Sequence, residues 1–119
     1  MDEEFCELPP PADWRQVRIG WDTLWVSSDG YIKTVDGIMG STAGMAVPGT
    51  PYRSYPVRVA EDRTVLVYVH ELVWFAFHGM PPDGWHVGHR ATADGYDNRL
   101  DNLELYTGGA VALRALARA

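Results

Sequence analysis

The chain has 119 residues, which suits one domain with a modest hydrophobic core. It carries 16 acidic and 10 basic residues, a net charge of −6, and acids outnumber bases both before and after residue 55. This balance is unfavourable for a protein that binds nucleic acid through phosphate neutralisation alone. The single cysteine, Cys6, excludes an internal disulfide and favours an intracellular setting.

The N-terminal segment, residues 1–13, is acidic and contains three consecutive prolines, so it is predicted to be a flexible leader. Its acidic start is unlike that of a signal peptide. No apolar run of the chain approaches the roughly 20 residues that span a bilayer. We therefore expect a cytoplasmic protein without membrane contact.

Residues 14–35 have the composition of β-strands. Strand-like residues 24–27 and 31–35 flank a Ser-Asp-Gly turn, and Asp-Gly accommodates positive φ, so a hairpin is predicted here. Residues 36–55 are rich in Gly and predict a long loop with room for a short strand. Such a loop is either functional or disordered. Together these stretches form the first predicted segment, 14–55.

The second predicted segment, residues 56–119, completes one compact unit and contains a further hairpin, two helices and two short strands. Gly79 and two following prolines end the first of these helices. We expect Trp21, Trp25 and Trp74 to lie in the core. The predicted elements are a hairpin of 55–59 and 64–69, a buried helix over 70–78, a strand over 85–87, a turn over 98–102, a strand over 103–107 and a C-terminal helix over 110–119.

Three stretches, in chain order, carry a resemblance to a known family. Residues 14–34 contain Trp-Val-Ser-Ser-Asp-Gly-Tyr-Ile-Lys-Thr after an earlier Trp, which is similar to the small β-motif upstream of phage and intron HNH nucleases. Residues 67–77 resemble the V-H-R-L-V-A-x-A-F segment of those nucleases. Residues 89–107 resemble their H-I-D-G-N-x-x-N-N-x-x-x-N-L-E-W-V-T segment. The chain thus resembles the HNH homing-endonuclease-like family.

This resemblance implies an α+β fold in which small antiparallel hairpins accompany a ββα-metal core, also called the His-Me finger. In such nucleases a divalent metal stabilises the leaving oxygen of the scissile phosphate. A His removes a proton from the attacking water, and an Asn carbonyl orients that His. Aligned on this chain, His89 is the catalytic base and Asn102 is the orienting residue.

Two positions depart from the family pattern. The family holds its metal with an acid or amide just before the His and with an Asn or His in the following helix, where this chain has Gly88 and Val111. Neither residue offers an oxygen or nitrogen side-chain donor. We therefore expect cleavage to be weak or lost and leave the metal ligands unassigned. An active enzyme would use Mg²⁺ or Mn²⁺, and an inactive one would need no cofactor.

Five further residues are candidates for supporting roles. Asn98 is either a supporting site residue or a turn residue. Asp94 could replace the acid of the altered loop after His89, and with His86 it could contribute to a substitute metal site. Arg90 and Arg99 flank the motif and could contact DNA phosphates, or they could pair with neighbouring acids. The structural alternative for His89 itself is a histidine that is bonded to Asn102 and catalyses nothing.

The sequence is compatible with three functions. The first is a phage-borne HNH endonuclease that nicks or cuts DNA. The second is a degenerate HNH fold reused as a phage effector that binds a host protein or an anti-defence factor. The third is a DNA-binding protein without catalysis, which would show a steep salt dependence of binding. The partner, DNA or a host protein, and the oligomeric state are left open.

Overall fold

The computed structural model describes residues 12–36, 40–90 and 97–108. Val111, Asp94, nearly all of the predicted leader and the predicted C-terminal helix lie outside these residues. The elements in chain order are β1 (Trp14–Ile19), β2 (Asp22–Ser27), β3 (Ile32–Thr34), β4 (Met45–Ala46), β5 (Arg53–Ala60), β6 (Arg63–Tyr68), α1 (Val69–His78), β7 (Trp85–His89), a 3-10 turn (Leu100–Asn102) and β8 (Leu103–Thr107).

The described part of the chain contains three small antiparallel sheets, with strand orders β1-β2-β3, β4-β5-β6 and β7-β8. Both predicted hairpins are confirmed: Val26 pairs with Ile32 in the first, and Val57 pairs with Val65 in the second. The short strand for which the Gly-rich loop left room is β4. The architecture of small antiparallel sheets with a helix confirms the predicted α+β fold class.

Helix α1 follows β6 without a loop and confirms the predicted helix. Its first five residues, 69–73, are buried, 74–77 are half-buried, and His78 is exposed. The helix was expected to be buried along its whole length, and only its first half is. The helix ends where the Gly79 N–H donates to the Phe75 carbonyl oxygen at 3.0 Å. Its buried first turn brings His70 into the interior.

One hydrophobic core joins the three sheets and α1, because the inward faces of the alternating strands converge on the first half of the helix. Trp74 is half-buried and packs against this core, whereas Trp25 is half-buried on the other face of β2 from the buried Leu24 and Val26. The prediction that Trp21 is a core residue is wrong. Trp21 lies in the β1–β2 turn, where its backbone bonds Arg58 and its side chain stays 55% exposed. The buried apolar residues are Val17, Ile19, Leu24, Val26, Ile32, Val57, Val67, Val69, Leu72, Val73, Val87 and Leu103.

Within 12–36, 40–90 and 97–108, no helix is long and apolar enough to cross a membrane.

Candidate active site

The end of strand β7 places His89 against helix α1. Register pairs His89 with Leu103 and Val87 with Leu105 across the β7/β8 hairpin. Alternate residues of a strand share a face, so His89 lies on the same face as the buried Val87. The imidazole of His70, in the first turn of α1, lies 4.8 Å from that of His89 between ring centroids. Two imidazoles from different elements therefore meet at one point.

A hydrogen bond to Asn98 orients the His89 ring. The Nε2–H of His89 donates to Asn98 Oδ1 at 2.7 Å, and Asn98 is only 4% exposed. A carbonyl oxygen can only accept, so this bond keeps the proton on Nε2. The lone pair then lies on Nδ1, which is the nitrogen that can take a proton from water.

The residue that bonds the His89 ring is Asn98 and not the predicted Asn102. The Asn102 side chain donates to the Asp97 carbonyl oxygen at 2.7 Å, and its own carbonyl oxygen accepts from the Arg90 N–H at 3.0 Å. Asn102 ends the 3-10 turn, and its side chain folds back onto the preceding residues of the loop. Asn102 fastens this turn, and Asn98, which was predicted only to support the site, contacts the ring.

Aromatic rings surround the two imidazoles. Tyr52 stacks on His89 with ring centroids 5.8 Å apart and planes 12° apart. It also contacts His70 at 5.1 Å, and Tyr68 stacks on the same His70 at 5.2 Å. The sequence does not single out either tyrosine, because Tyr52 lies in the predicted Gly-rich loop and Tyr68 lies near the end of a predicted strand. No spacing pattern links them to His89.

His70 is held in its neutral form. It is 5% exposed, and among the described residues its Nδ1 has no hydrogen-bond partner. Burial, together with the nearby imidazoles of His89 and His86, lowers the pKa of His70 from 6.5 to about 3. A neutral ring packed on His89 adds no positive charge to the site at neutral pH.

The depressed pKa of His70 predicts acid sensitivity of the fold. Below pH 6.5 the unfolded chain binds a proton at this residue and the folded chain does not, so stability falls as pH drops from about 6.5 towards about 3. Between pH 7 and pH 5 the loss is about 2 kcal/mol. The substitution His70→Phe keeps a ring and removes the titration. Urea unfolding at both pH values should show a smaller pH-dependent loss in this variant, and equal losses would contradict the assignment.

On the opposite face of the β7/β8 hairpin, the ring of Tyr106 covers Gly88. A Cβ atom at position 88 would lie 2.5 Å from Tyr106 Cε2, well inside van der Waals contact. The hydroxyl of Tyr106 donates to the His89 carbonyl oxygen at 2.6 Å and lies 3.0 Å from Glu104 Oε2. Partial burial and the bond to Glu104 raise the pKa of Tyr106. The ring is thus anchored where a side chain at position 88 would point.

Comparisons with known proteins bear on the segment that holds these residues. The model of a family described as HNH endonuclease matches residues 67–110, which include His70, His89 and Asn98. Residues 67–110 are thus similar to an HNH endonuclease. Its structure is similar to that of the HNH homing endonuclease I-HmuI, a DNA-binding and DNA-cleaving protein, with a TM-score of 0.63 and 21% identity over 80% of this chain. The chain spans about half, 52%, of that nuclease. No curated protein matches it.

The described residues of this HNH-like protein do not fit a divalent-metal centre. Position 88, which the family resemblance assigns to a metal ligand, has no room for a side chain while Tyr106 keeps its place. Among residues 12–36, 40–90 and 97–108, no group of three or more His, Cys, Asp or Glu side chains could hold a metal. His86 lies on the opposite face from His89, and its Nδ1 is 2.7 Å from the Gly108 carbonyl oxygen. Asp94 lies outside the described residues.

The two arginines that flank the HNH-like motif each donate to an aspartate. Arg99 bonds a carboxylate, and Arg90 bonds a backbone carbonyl oxygen. Arg99 donates to both carboxylate oxygens of Asp97, at 2.9 and 2.8 Å, and its side chain is 58% exposed. These bonds hold the pKa of Asp97 below its usual value. Arg90 donates through Nε to the Asp101 carbonyl oxygen at 2.8 Å. Contact with DNA phosphates stays a prediction for both residues.

A cleft of about 780 Å³ lies beside these arginines. Its lining includes Arg90 and Arg99, but also the carboxylates of Asp29, Asp101 and Glu104. Three acids beside two bases leave no net positive charge for a phosphate chain. Neither His89 nor Asn98 is among the residues that line this cleft.

Proposed function

We propose that the protein is an HNH-type DNA nuclease of phage origin whose cleavage is weak. His89 is the general base, Asn98 orients it, and Nδ1 of His89 receives the proton of the attacking water. The observation that carries this proposal is the 2.7 Å bond from His89 Nε2 to Asn98 Oδ1. Cleavage is weak because Gly88 supplies no ligand and Tyr106 fills the adjacent space.

Neutral His70 and stacked Tyr52 support this role for His89. They restrict the imidazole to one orientation without placing a carboxylate or a second cation against it. A base that is already oriented needs no rearrangement when a water molecule arrives. The net charge of −6 opposes strong DNA binding, which is consistent with slow turnover of DNA at physiological salt.

A plasmid nicking assay tests the proposal. Supercoiled DNA is incubated with excess protein and Mg²⁺ or Mn²⁺, and conversion to open circles is followed on gels. We expect slow nicking by the wild type and none by His89→Ala. The matched control is His78→Ala, which removes a histidine at the far end of α1 and should nick like the wild type. Equal nicking by the His89 variant and the wild type would contradict the proposal.

A second function, binding of a host protein by a phage effector, is favoured by an apolar strip on the middle sheet. Met45, Pro56, Leu66 and Tyr68 are exposed and share one face, since Pro56 pairs with Leu66, and Ser54 pairs with both Met45 and Tyr68. Leu66 is 59% exposed. Exposed apolar strips of this kind often mark protein contacts.

This second function predicts that a host protein is retained by the wild type in a pull-down and lost with Leu66→Glu. Arg63→Glu, also exposed on β6 but outside the strip, is the control for added negative charge. Binding of DNA without cleavage, the third candidate, would instead appear as a gel shift that weakens steeply with salt. Retention of no host protein, together with such a shift, would exclude the second function.

A further inference from the structure

The turn between β2 and β3 packs against the segment that carries Asn98. The Leu100 N–H donates to the Ser28 carbonyl oxygen at 2.8 Å, which ties this segment to the turn. The turn is itself held from inside, because the fully buried Ser27 accepts through Oγ from the N–H groups of Asp29 and Tyr31 at 3.2 and 3.0 Å. A well-fastened loop from the first sheet therefore reaches the β7/β8 region.

Gly30 makes the closest approach between these two segments. Its φ is +90°, and a Cβ atom added there would lie 3.1 Å from the Asn98 carbonyl carbon, carbonyl oxygen and Cβ. Two of these three atoms belong to the backbone, which cannot turn aside as the end of a side chain can. Any residue other than glycine must push Asn98 away from the turn.

Asn98 has few other restraints. Its Oδ1 accepts from His89, and its buried Nδ2 has no hydrogen-bond partner among the described residues. The position of the amide thus depends on its own backbone, which Gly30 and the Ser28–Leu100 bond hold in place. A displacement of a few tenths of an ångström is enough to lengthen a 2.7 Å bond.

We propose that the β2–β3 turn, through Gly30 and the Ser28 carbonyl, is a positioning device that sets Asn98 against His89. The match to the HNH endonuclease family begins at residue 67, so this device lies outside the matched segment. Its catalytic consequence rests on the proposed function, but the hydrogen bond that it sets exists with or without cleavage. The upstream β-motif then contributes to the site and is not merely attached to it.

A pair of glycine substitutions tests the proposal. Gly30→Ala adds a methyl group against Asn98. Gly84→Ala is the matched control, because Gly84 has a similar φ of +85° and nothing lies within 4 Å of its added Cβ. Both variants strain the backbone alike, and Gly30→Ala adds the close contact with Asn98, so thermal unfolding should record a loss in both and a larger one in Gly30→Ala. Only Gly30→Ala is expected to disturb the His89–Asn98 bond.

The bond is read by nitrogen-15 NMR of the His89 imidazole in the full chain, with Asn98→Ala as the reference for its loss. We expect the Nε2 resonance of Gly30→Ala to move towards that of Asn98→Ala, and that of Gly84→Ala to stay at the wild-type position. A wild-type resonance in Gly30→Ala, or an equal move in Gly84→Ala, would overturn the proposal.

A second pair of variants guards against misfolding. Gly30→Asn and Gly84→Asn repeat the comparison with a residue that tolerates positive φ better than alanine does. If both Gly30 variants fail to fold while both Gly84 variants fold, the role of Gly30 is structural and the positioning proposal fails.

Nicking by the same variants separates the two proposals. If the wild type nicks DNA, Gly30→Ala should lose part of the roughly 10²- to 10⁴-fold that a general base contributes. If the wild type does not nick DNA, the proposed function fails, while the NMR comparison still decides on the positioning role.

Discussion

Asn98→Ala is expected to lower the nicking rate by roughly 10²-fold, a substantial part of what an oriented general base contributes. Without Asn98 Oδ1, the His89 ring loses the acceptor that keeps its proton on Nε2. The ring can then rotate, or hold the proton on Nδ1, and in either state fewer molecules present a basic nitrogen to water. Single-turnover nicking at saturating protein measures this effect without interference from DNA binding.

Asn102→Ala is the matched control for this prediction. The loss of its bond to the Asp97 carbonyl oxygen should lower the free energy of unfolding by about 1 kcal/mol. Its nicking rate should stay near that of the wild type at a temperature where both variants are folded. The reverse pattern, with the rate lost in Asn102→Ala and kept in Asn98→Ala, would restore the assignment made from sequence.

Gly88→Ala is expected to lower the free energy of unfolding by about 2 kcal/mol, as other overpacked sites do. The added methyl group would lie 2.5 Å from the Tyr106 ring. Relief requires the ring to turn, which breaks the bond from its hydroxyl to the His89 carbonyl oxygen and the contact with Glu104. Urea unfolding measures the change.

A double-mutant cycle identifies the cause of this loss. In a Tyr106→Ala background the ring is absent, so Gly88→Ala should cost much less than it does alone, and the two substitutions should show a coupling energy of about 1 kcal/mol or more. Tyr106→Phe keeps the ring and removes the hydroxyl, so in that background Gly88→Ala should still lower the free energy of unfolding. Additive effects of Gly88→Ala and Tyr106→Ala would show that the ring does not occupy the space beside Gly88.

The elements that the sequence predicts well are those with local signals. Alternating apolar residues and an Asp-Gly turn predict the β2–β3 hairpin, and the change of period after Val69 predicts α1, which Gly79 ends. Each signal lies within about ten residues. His89 is located differently, by the resemblance of residues 89–107 to the HNH family, and this stretch begins at the last residue of β7.

The partner of the His89 ring and the space beside Gly88 depend on loop geometry and strand register. Asn98 and Asn102 are both polar residues of one short loop, and only the direction of the 3-10 turn decides which amide meets the imidazole. The lack of space for a side chain at position 88 depends on the strand register that brings Tyr106 beside Gly88. No local pattern reports a strand register or the direction of a side chain in an irregular loop.

The single-turnover nicking rates of the wild type and His89→Ala test the central claim, that His89 is the base of this site. With excess protein and Mg²⁺ or Mn²⁺, the wild type should nick DNA slowly, and His89→Ala should lose the roughly 10²- to 10⁴-fold that a general base contributes. Equal rates in the two proteins, or the absence of nicking by the wild type, would contradict the claim.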